Sequence, residues 1–161
     1  MRKSEYTFTY EVYDSIDELA EEDAFLLKEA QYATRKSWSP YSHFKVGTAA
    51  RLKNGALVTA ANQENASYPA GICAERVLLS TASALYPDEP ISSMAISYEG
   101  ADVESDHPIS PCGICRQSLQ EFESRTHQPV RLILGGKTGK VFIIPAASQL
   151  LPFAFTPAEL L

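Results

Sequence analysis

The chain has 161 residues, of which 45% are apolar and 21% charged, the proportions of a soluble globular protein with one core. Its formal net charge of −6, without any run of lysines or arginines, argues against a surface that binds a nucleic acid polymer. No apolar stretch approaches the roughly 20 residues that cross a bilayer, and residues 1–10 lack the apolar run of a signal peptide. We therefore expect a cytoplasmic protein without a membrane partner.

The first half of the chain predicts a strand or ordered arm at 6–13, a helix at 22–36, and strands at 44–52 and 57–61. Alternation of polar with aromatic or Val side chains indicates the first strand, and Pro40 terminates the helix. Asn54 and Gly55 are a strong two-residue turn signal, so the two later strands form a hairpin.

The second half predicts helices at 73–85 and 112–124, strands at 94–98, 130–134 and 141–144, and a capping box at 156–159. Helices that alternate with single strands and hairpins are typical of a sheet covered on both faces. We predict an α/β fold, a three-layer α/β/α sandwich with a mixed five-stranded sheet.

All three cysteines of the chain fall into two short motifs. Cys73 stands in C-A-E-R, and Cys112 and Cys115 stand in P-C-G-I-C. Both motifs lie where a loop turns into a helix, and unpaired N–H groups at a helix N-terminus stabilise thiolates, the metal-binding form. Soft thiolates favour zinc over magnesium or calcium, so we predict one zinc ion per chain. A C-x-x-C redox pair is the alternative, and it gives Cys73 no role.

Three protein ligands are typical of catalytic zinc, whereas structural zinc is usually closed by four residues. A structural site would need His43, His107 or His127 as its fourth ligand, and none of them lies in a repeated metal-ligand spacing. It would also leave Glu75, two residues after Cys73, unexplained. We predict that Glu75 carries protons beside the metal as a general acid and base.

Arg76 is the cation nearest to the predicted metal site. Three thiolates around one zinc ion carry a net charge of −1, which hydrogen bonds from Arg76 to the sulfurs would offset. An arginine on a helix is more often a solvated surface residue. Its position directly after C-A-E favours the role beside the thiolates.

The motifs C-A-E-R and P-C-G-I-C-R-Q together resemble those of the cytidine deaminases, in particular the small zinc-dependent form that assembles as a homotetramer. C-x-E with P-C-x-x-C is the general signature of zinc deaminases. From Ser39 onward the chain is similar to the family in the further motifs S-P-Y-S-H-F-K-V-G, N-Q-E-N-A-S-Y-P and L-L-P-F-A-F. The resemblance implies a single cytidine deaminase-like domain over residues 1–161, with residues 1–20 as an N-terminal extension.

The resemblance also implies a reaction and the residues that carry it. Cys73, Cys112 and Cys115 would bind zinc, while Glu75 would move protons between water and N3 of the pyrimidine. The backbone N–H of Ala74 would bind the carbonyl of the base. The reaction would convert cytidine or deoxycytidine to uridine or deoxyuridine with release of ammonia, a step of pyrimidine salvage.

Five further residues match positions that contact the nucleoside in the family: Phe44, Asn62, Glu64, Tyr68 and Phe155. Asn62 and Glu64 would bind sugar hydroxyls, and Phe44 would line the base pocket. Tyr68 and Phe155 would reach active sites of neighbouring subunits, which implies a homotetramer with shared sites. The Glu64 carboxylate would repel a 5′-phosphate and so favour free nucleosides. On pattern alone, Glu64 could be a solvated loop residue and Phe44 a core residue.

Two other functions stay open on the sequence. One is deamination of a modified cytosine nucleoside such as blasticidin S, although Asn62 and Glu64 favour an ordinary ribose or deoxyribose. The other is a non-catalytic zinc module that binds protein or RNA. The acidic balance and the presence of Glu75 weigh against such a module.

Overall fold

A single mixed sheet organises the computed structural model, which describes residues 1–160. Its strands are β1 (Glu11–Tyr13), β2 (Phe44–Leu52), β3 (Leu57–Ala61), β4 (Ile91–Gly100), β5 (Arg131–Gly135) and β6 (Val141–Ile144). Their spatial order is β1-β6-β5-β4-β2-β3. β4 and β5 are parallel, and the other neighbours are antiparallel. The predicted mixed sheet is thereby confirmed.

Helices cover both faces of this sheet: α1 (Glu21–Ala33), α2 (Ala74–Leu85) and α3 (Gly113–Thr126). α1 buries Leu27 and Ala30 against one face. α2 and α3 bury Leu78 and Leu119 against the other face, in a separate and larger apolar cluster. Apolar side chains at helical spacing on one side of each helix produce this packing. The three-layer α/β/α prediction is confirmed.

One glycine sets the distance between α1 and the sheet. A Cβ atom on Gly47 of β2 would lie 2.2 Å from the carbonyl oxygen of Ala30 and 2.5 Å from the backbone nitrogen of Thr34. Only glycine permits so close an approach of two backbones. The contact holds the start of β2 against α1.

The hairpin of β2 and β3 forms as predicted. Gly55 adopts a φ of +88°, and its N–H donates to the Leu52 carbonyl across 3.0 Å. The Asn54 side chain accepts from the N–H of Ala56 at 2.9 Å. The turn therefore uses the conformational freedom of glycine and the local hydrogen bonding of asparagine.

The predicted number of strands is wrong by one, because β1 adds a sixth strand to the edge of the sheet. It pairs with β6 in a register that places Val12 opposite Phe142. The preceding residues continue as an arm, in which the Tyr10 ring lies 5.1 Å from the Phe142 ring and the Tyr6 hydroxyl donates to the Gln149 carbonyl. Alternation in residues 6–13 indicated a strand, but the partner lies at the far end of the chain.

The predicted bounds of β2, β3 and β6 agree with the structure, whereas β4 extends beyond the predicted 94–98 at both ends. In residues 1–160, no helix has both the length and the apolar character needed to cross a membrane.

Candidate metal centre and active site

Three thiols meet where α2 and α3 begin. Cys73 is the N-cap residue of α2, Cys112 is the N-cap residue of α3, and Cys115 lies in the first turn of α3. The Cys73 and Cys112 sulfurs are 3.8 Å apart, and those of Cys112 and Cys115 are 3.5 Å apart. All three sulfurs lie within 4.8 Å of one another, and none forms a disulfide.

This spacing fits a tetrahedral zinc ion. With a Zn–S distance of about 2.3 Å, two sulfurs at tetrahedral corners are roughly 3.8 Å apart. Among the described residues, the cluster of close ligand atoms contains the three sulfurs and no carboxylate or histidine. Three protein donors leave one tetrahedral position for another ligand. Cys73, Cys112 and Cys115 therefore suit a catalytic rather than a closed zinc site.

The pKa values of two of the three thiols are shifted in opposite directions. Hydrogen bonding with the Cys115 thiol lowers the pKa of Cys73 to about 6, and hydrogen bonding with Cys112 and the charge of Arg76 contribute to this shift. The same interaction with Cys73, together with burial, raises the pKa of Cys115. One thiolate is thus stabilised by its neighbours and by the helix N-termini. All three thiols can lose their protons together only if a cation at the centre of the cluster balances the negative charges. A metal ion that binds thiolates would be such a cation.

Glu75 lies in the first turn of α2, two residues after Cys73, and its exposure is only 4%. Burial raises the pKa of its carboxyl group, and the negative charge of Cys73 adds to the shift. A carboxyl group with a raised pKa holds a proton more readily than an exposed one, which suits proton exchange with a neighbouring group. The structure therefore places a buried carboxyl group with a raised pKa beside the thiol cluster.

Asn62 anchors the start of β2 from the end of β3. Its amide nitrogen donates to the Phe44 carbonyl at 2.9 Å. Its amide oxygen accepts from the N–H of Val46 at 2.8 Å and from the Ser37 hydroxyl at 2.6 Å. The second N–H of the Asn62 side-chain amide stays available to a ligand.

Glu64 closes the turn that precedes β2. Its Oε2 atom accepts from the backbone N–H groups of Tyr41, at 2.9 Å, and Ser42, at 3.2 Å. The Ser42 hydroxyl donates to Oε1. This hydroxyl, followed by the two N–H groups, lowers the pKa of Glu64, which keeps the carboxylate charged. Oε1 keeps a lone pair for a further donor.

A cavity of about 350 Å³ opens beside Glu64. Its lining consists of Tyr41, Ser42, Glu64, Asn65, Tyr68 and Gly71. The rings of Tyr41 and Tyr68 lie 5.9 Å apart, and 74% of Tyr68 is exposed. The cavity thus has aromatic and carboxylate walls, which suit a polar ligand with a flat apolar face.

The remaining predicted residues lie in different places. Ala74 is buried as the first residue of α2, where helix geometry leaves its N–H without an intrahelical partner. Phe44 stacks on Tyr98 with ring centroids 5.4 Å apart. Phe155 is 58% exposed and is not part of the cavity lining. Arg76 faces the groove between α2 and α3 and, within residues 1–160, makes no hydrogen bond to a cysteine sulfur.

Three residues near the site were not singled out from the sequence. Ser42 contacts Glu64 and Phe44, and Tyr98 supports the Phe44 ring. Arg116 follows Cys115 and donates to the carbonyls of Pro111, at 2.8 Å, and Leu150, at 3.1 Å. Ser42 and Arg116 belong to the motifs S-P-Y-S-H-F and C-R-Q. Their motifs were the only available signal, since hydrogen-bond partners far along the chain are not visible in sequence.

Residues 20–128 match the family model described as the cytidine and deoxycytidylate deaminase zinc-binding region. A cytidine deaminase of Halalkalibacterium halodurans is 36% identical over 135 residues, which cover 84% of this chain and 95% of that protein. A cytidine deaminase of Sporosarcina psychrophila is 34% identical over 136 residues, covering 84% and 92%.

Solved structures give the same result. The crystal structure of cytidine deaminase from Burkholderia pseudomallei superposes with a TM-score of 0.71 at 34% identity, covering 85% of this chain and all of that one. That of the Mycobacterium leprae cytidine deaminase superposes with a TM-score of 0.63 at 30% identity, covering 83% and 98%. The sequence match spans all three cysteines, and the fold places their sulfurs together. The chain belongs to the cytidine and deoxycytidylate deaminase family.

Proposed function

We propose that this protein is a zinc-dependent deaminase that hydrolyses cytidine and deoxycytidine to uridine and deoxyuridine with release of ammonia. The observation that carries the proposal is the thiol cluster with a buried carboxyl group, Glu75, two residues from one of its members. Relatives that this chain covers almost completely are named cytidine deaminases. The reaction would serve pyrimidine salvage.

Cys73, Cys112 and Cys115 would hold the zinc ion, one per chain. The chemistry that zinc supplies in such a site is Lewis-acid activation of water, which lowers the pKa of the water toward about 7. The thiolates would lie at two helix N-termini, where backbone N–H groups compensate part of their charge. Arg76 would add positive charge through space.

Glu75 would move the protons of the reaction. Its carboxylate would take a proton from the attacking water and deliver it to N3 of the cytosine ring, which makes C4 more electrophilic, and the water oxygen would form a bond to C4. Glu75 would then move the remaining proton of that oxygen to the amino group, so that the C4–N bond breaks, ammonia leaves and a carbonyl oxygen stays on C4. Burial raises the pKa of the Glu75 carboxyl group, because the charged form is poorly solvated there, and this supports a role in holding the proton that is transferred.

The other site residues would bind and orient the nucleoside. The Ala74 N–H would donate to the base carbonyl, and Phe44 would pack against the base. Asn62 would offer its remaining N–H, and Glu64 its remaining lone pair, to a sugar hydroxyl. The charge of Glu64 would disfavour nucleotides and nucleic acid polymers, because a phosphate beside it would be repelled.

The active form would be a homotetramer with sites shared between subunits. The exposed aromatic side chains of Tyr68 and Phe155 support this proposal, since both would extend into a neighbouring site. The chain would form one domain, in which residues 1–20 are an extension; the matched family region starts at residue 20. Three free thiols suit a reducing compartment, which supports a cytoplasmic location.

A substrate screen tests the proposed function. The purified protein, loaded with one zinc ion per chain, is mixed with cytidine, deoxycytidine, cytidine 5′-monophosphate, blasticidin S or single-stranded RNA. Turnover is followed by the change in ultraviolet absorbance and by ammonia release. We expect the two free nucleosides to react fastest. Faster reaction of blasticidin S or RNA, or no turnover of any substrate, would contradict the proposal.

A further inference from the structure

The turn before β2 contains a hydroxyl group that joins two of the proposed nucleoside contacts. The Ser42 Oγ atom accepts from the backbone N–H of Phe44 at 3.0 Å and donates to Oε1 of Glu64. The backbone N–H of Ser42 donates to Oε2 of the same carboxylate. Ser42 therefore contacts Glu64 twice and Phe44 once.

The direction of these hydrogen bonds is determined by chemistry. A hydroxyl group has one proton, and a charged carboxylate can only accept, so the Ser42 proton points to Glu64. The Phe44 N–H can only donate, so it occupies a lone pair of the same oxygen. The chain of donors therefore runs in one direction, from Phe44 through Ser42 to Glu64.

Phe44 is held from its other side by Asn62, whose amide nitrogen donates to the Phe44 carbonyl. Both backbone polar groups of Phe44 are thus bound by side chains from the sugar side of the proposed site. The backbone before it is a tight turn, because His43 adopts a φ of +55°. These hydrogen bonds fix the backbone from which the Phe44 ring extends, and stacking on Tyr98 supports the ring itself.

We propose that Ser42 is a positioning residue that couples the carboxylate of Glu64 to the aromatic wall formed by Phe44, so that sugar binding and base packing are aligned. The proposal rests on the proposed function of this site. Ser42 does not itself contact the reacting atoms. Its hydroxyl group aligns Glu64 for the sugar. The oxygen of the same hydroxyl group accepts the hydrogen bond from the Phe44 N–H.

The Ser42→Ala variant tests the coupling through kinetics. The Ser42 hydroxyl would align Glu64 equally in the ground state and in the transition state, so its loss should weaken binding rather than slow the chemical step. We expect the KM for cytidine to rise roughly tenfold while kcat stays within about twofold. A KM within twofold of the wild-type value, or a loss confined to kcat, would overturn the proposal.

A double-mutant cycle with Glu64→Gln shows whether Ser42 acts through Glu64. If it does, removing the Ser42 hydroxyl has a much smaller effect on KM in the Glu64→Gln background than in the wild type. Equal effects in both backgrounds would overturn the coupling. The matched control is Ser92→Ala, which removes a hydrogen bond to the Arg51 carbonyl at the opposite end of β2 and should leave KM unchanged.

A second pair of variants controls for folding and shape. Ser42→Thr and Ser42→Val have side chains of nearly equal size, and only threonine retains a hydroxyl. We expect the threonine variant to keep a KM near that of the wild type and the valine variant to resemble Ser42→Ala. Equal KM values for the two variants would contradict a role of the hydroxyl.

One readout does not depend on activity. Titration of the Glu64 carboxyl group by NMR should show a higher pKa in Ser42→Ala than in the wild type, because the hydroxyl stabilises the charged form. An unchanged pKa would overturn the coupling even in an inactive protein. If the wild type does not turn over cytidine but the pKa rises, the proposed function fails and the contact between Ser42 and Glu64 stands.

Discussion

The pKa values of Glu75 and Cys73 are shifted in opposite directions, although the two residues lie only two positions apart. Interactions with the other thiols lower the pKa of Cys73 to about 6, whereas burial raises the pKa of Glu75. The first effect favours the thiolate form that binds a metal, and the second favours a carboxyl group that would hold a proton, as the proposed role of Glu75 requires. The difference arises from environment, because Cys73 caps the helix and Glu75 points into a buried space.

Replacement of Glu75 by glutamine should separate proton transfer from metal binding. The amide keeps the size of the side chain but cannot carry a proton, so we expect kcat for cytidine to fall by about 10²–10⁴-fold. The zinc content, measured by atomic absorption, should stay at one ion per chain because Glu75 does not belong to the thiol cluster. Near-native turnover in this variant would contradict the proposed role of Glu75.

Glu64 should contribute a pH-dependent part of the stability. Its folded-state pKa is depressed by the Ser42 hydroxyl and the N–H groups of Tyr41 and Ser42. The contribution is therefore present above the unfolded-state pKa of about 4.3 and is lost as the pH falls through the depressed folded-state value. We expect Glu64→Gln to be less stable than the wild type in urea at pH 7, with the difference shrinking below pH ~4.

The comparison between the two proteins at each pH removes contributions that they share, such as protonation of the cysteines. A difference in stability that stays constant from pH 7 to pH 3 would show that the Glu64 carboxylate is not stabilised by this turn.

Among the secondary-structure elements, α2 and α3 contribute the thiols of the site at their N-termini, whereas the edge strand β1 contributes none of them. α2 and α3 bring the thiols together because β3, which precedes α2, and β4, which precedes α3, both pair with β2. β1 instead covers the outer edge of β6, which would otherwise expose unpaired backbone groups. Its role is therefore in stability and in protection of the edge.

Deletion of residues 1–13 should destabilise the fold without removing the site. The loss includes the pairing of β1 with β6 and the contact of Tyr10 with Phe142. We expect a lower midpoint of thermal unfolding, by roughly 2–8 °C if about 1–2 kcal/mol is lost, and a greater tendency to aggregate. At 25 °C the KM for cytidine should stay unchanged.

The single variant Tyr10→Ala serves as the milder control, because it retains the strand and removes only the contacts of the Tyr10 ring with Phe8 and Phe142. Its midpoint should lie between those of the deletion and the wild type. A deletion variant with the full wild-type midpoint would show that β1 does not stabilise the sheet.

At the scale of the whole molecule, the proposed homotetramer would complete each site with residues of a neighbouring chain. Phe155 lies outside the cavity beside Glu64, and Tyr68 is largely exposed. Both facts agree with a site that neighbouring subunits complete. Exposed aromatic side chains of this size commonly become buried in interfaces.

Co-expression of two defective variants should restore activity if the sites are shared. Glu75→Gln chains lack the proton carrier but have Phe155, and Phe155→Ala chains have the opposite defect. In a mixed tetramer, some sites combine the intact Glu75 of one chain with the intact Phe155 of another. We expect cytidine turnover per site above that of either variant alone, measured on tetramers isolated by two different affinity tags.

The corresponding control mixes the two variants after purification, under conditions in which subunits do not exchange, and should show no gain. Sedimentation that gives a monomer with full activity would contradict the shared site.

The metal prediction depended on residues 73–76 and 111–115, because the spacing of neighbouring residues is enough to predict thiols at helix N-termini. Asn54-Gly55 likewise determined the hairpin, since its turn depends on two adjacent residues. Local patterns also predicted α1, α2 and α3 and a mixed sheet between them.

Only the tertiary structure decided the features that depend on distant partners. These are the addition of β1 to β6, the distances between the sulfurs, the direction of Arg76 into a groove, and the hydrogen bonds of Ser42. A sequence states which side chains are available, but contacts between residues far apart in the chain form only after packing has set backbone positions. The stretch C-A-E-R therefore predicted a metal ligand and a nearby carboxyl group, while the fold determined which side chains form hydrogen bonds around Glu64 and Phe44.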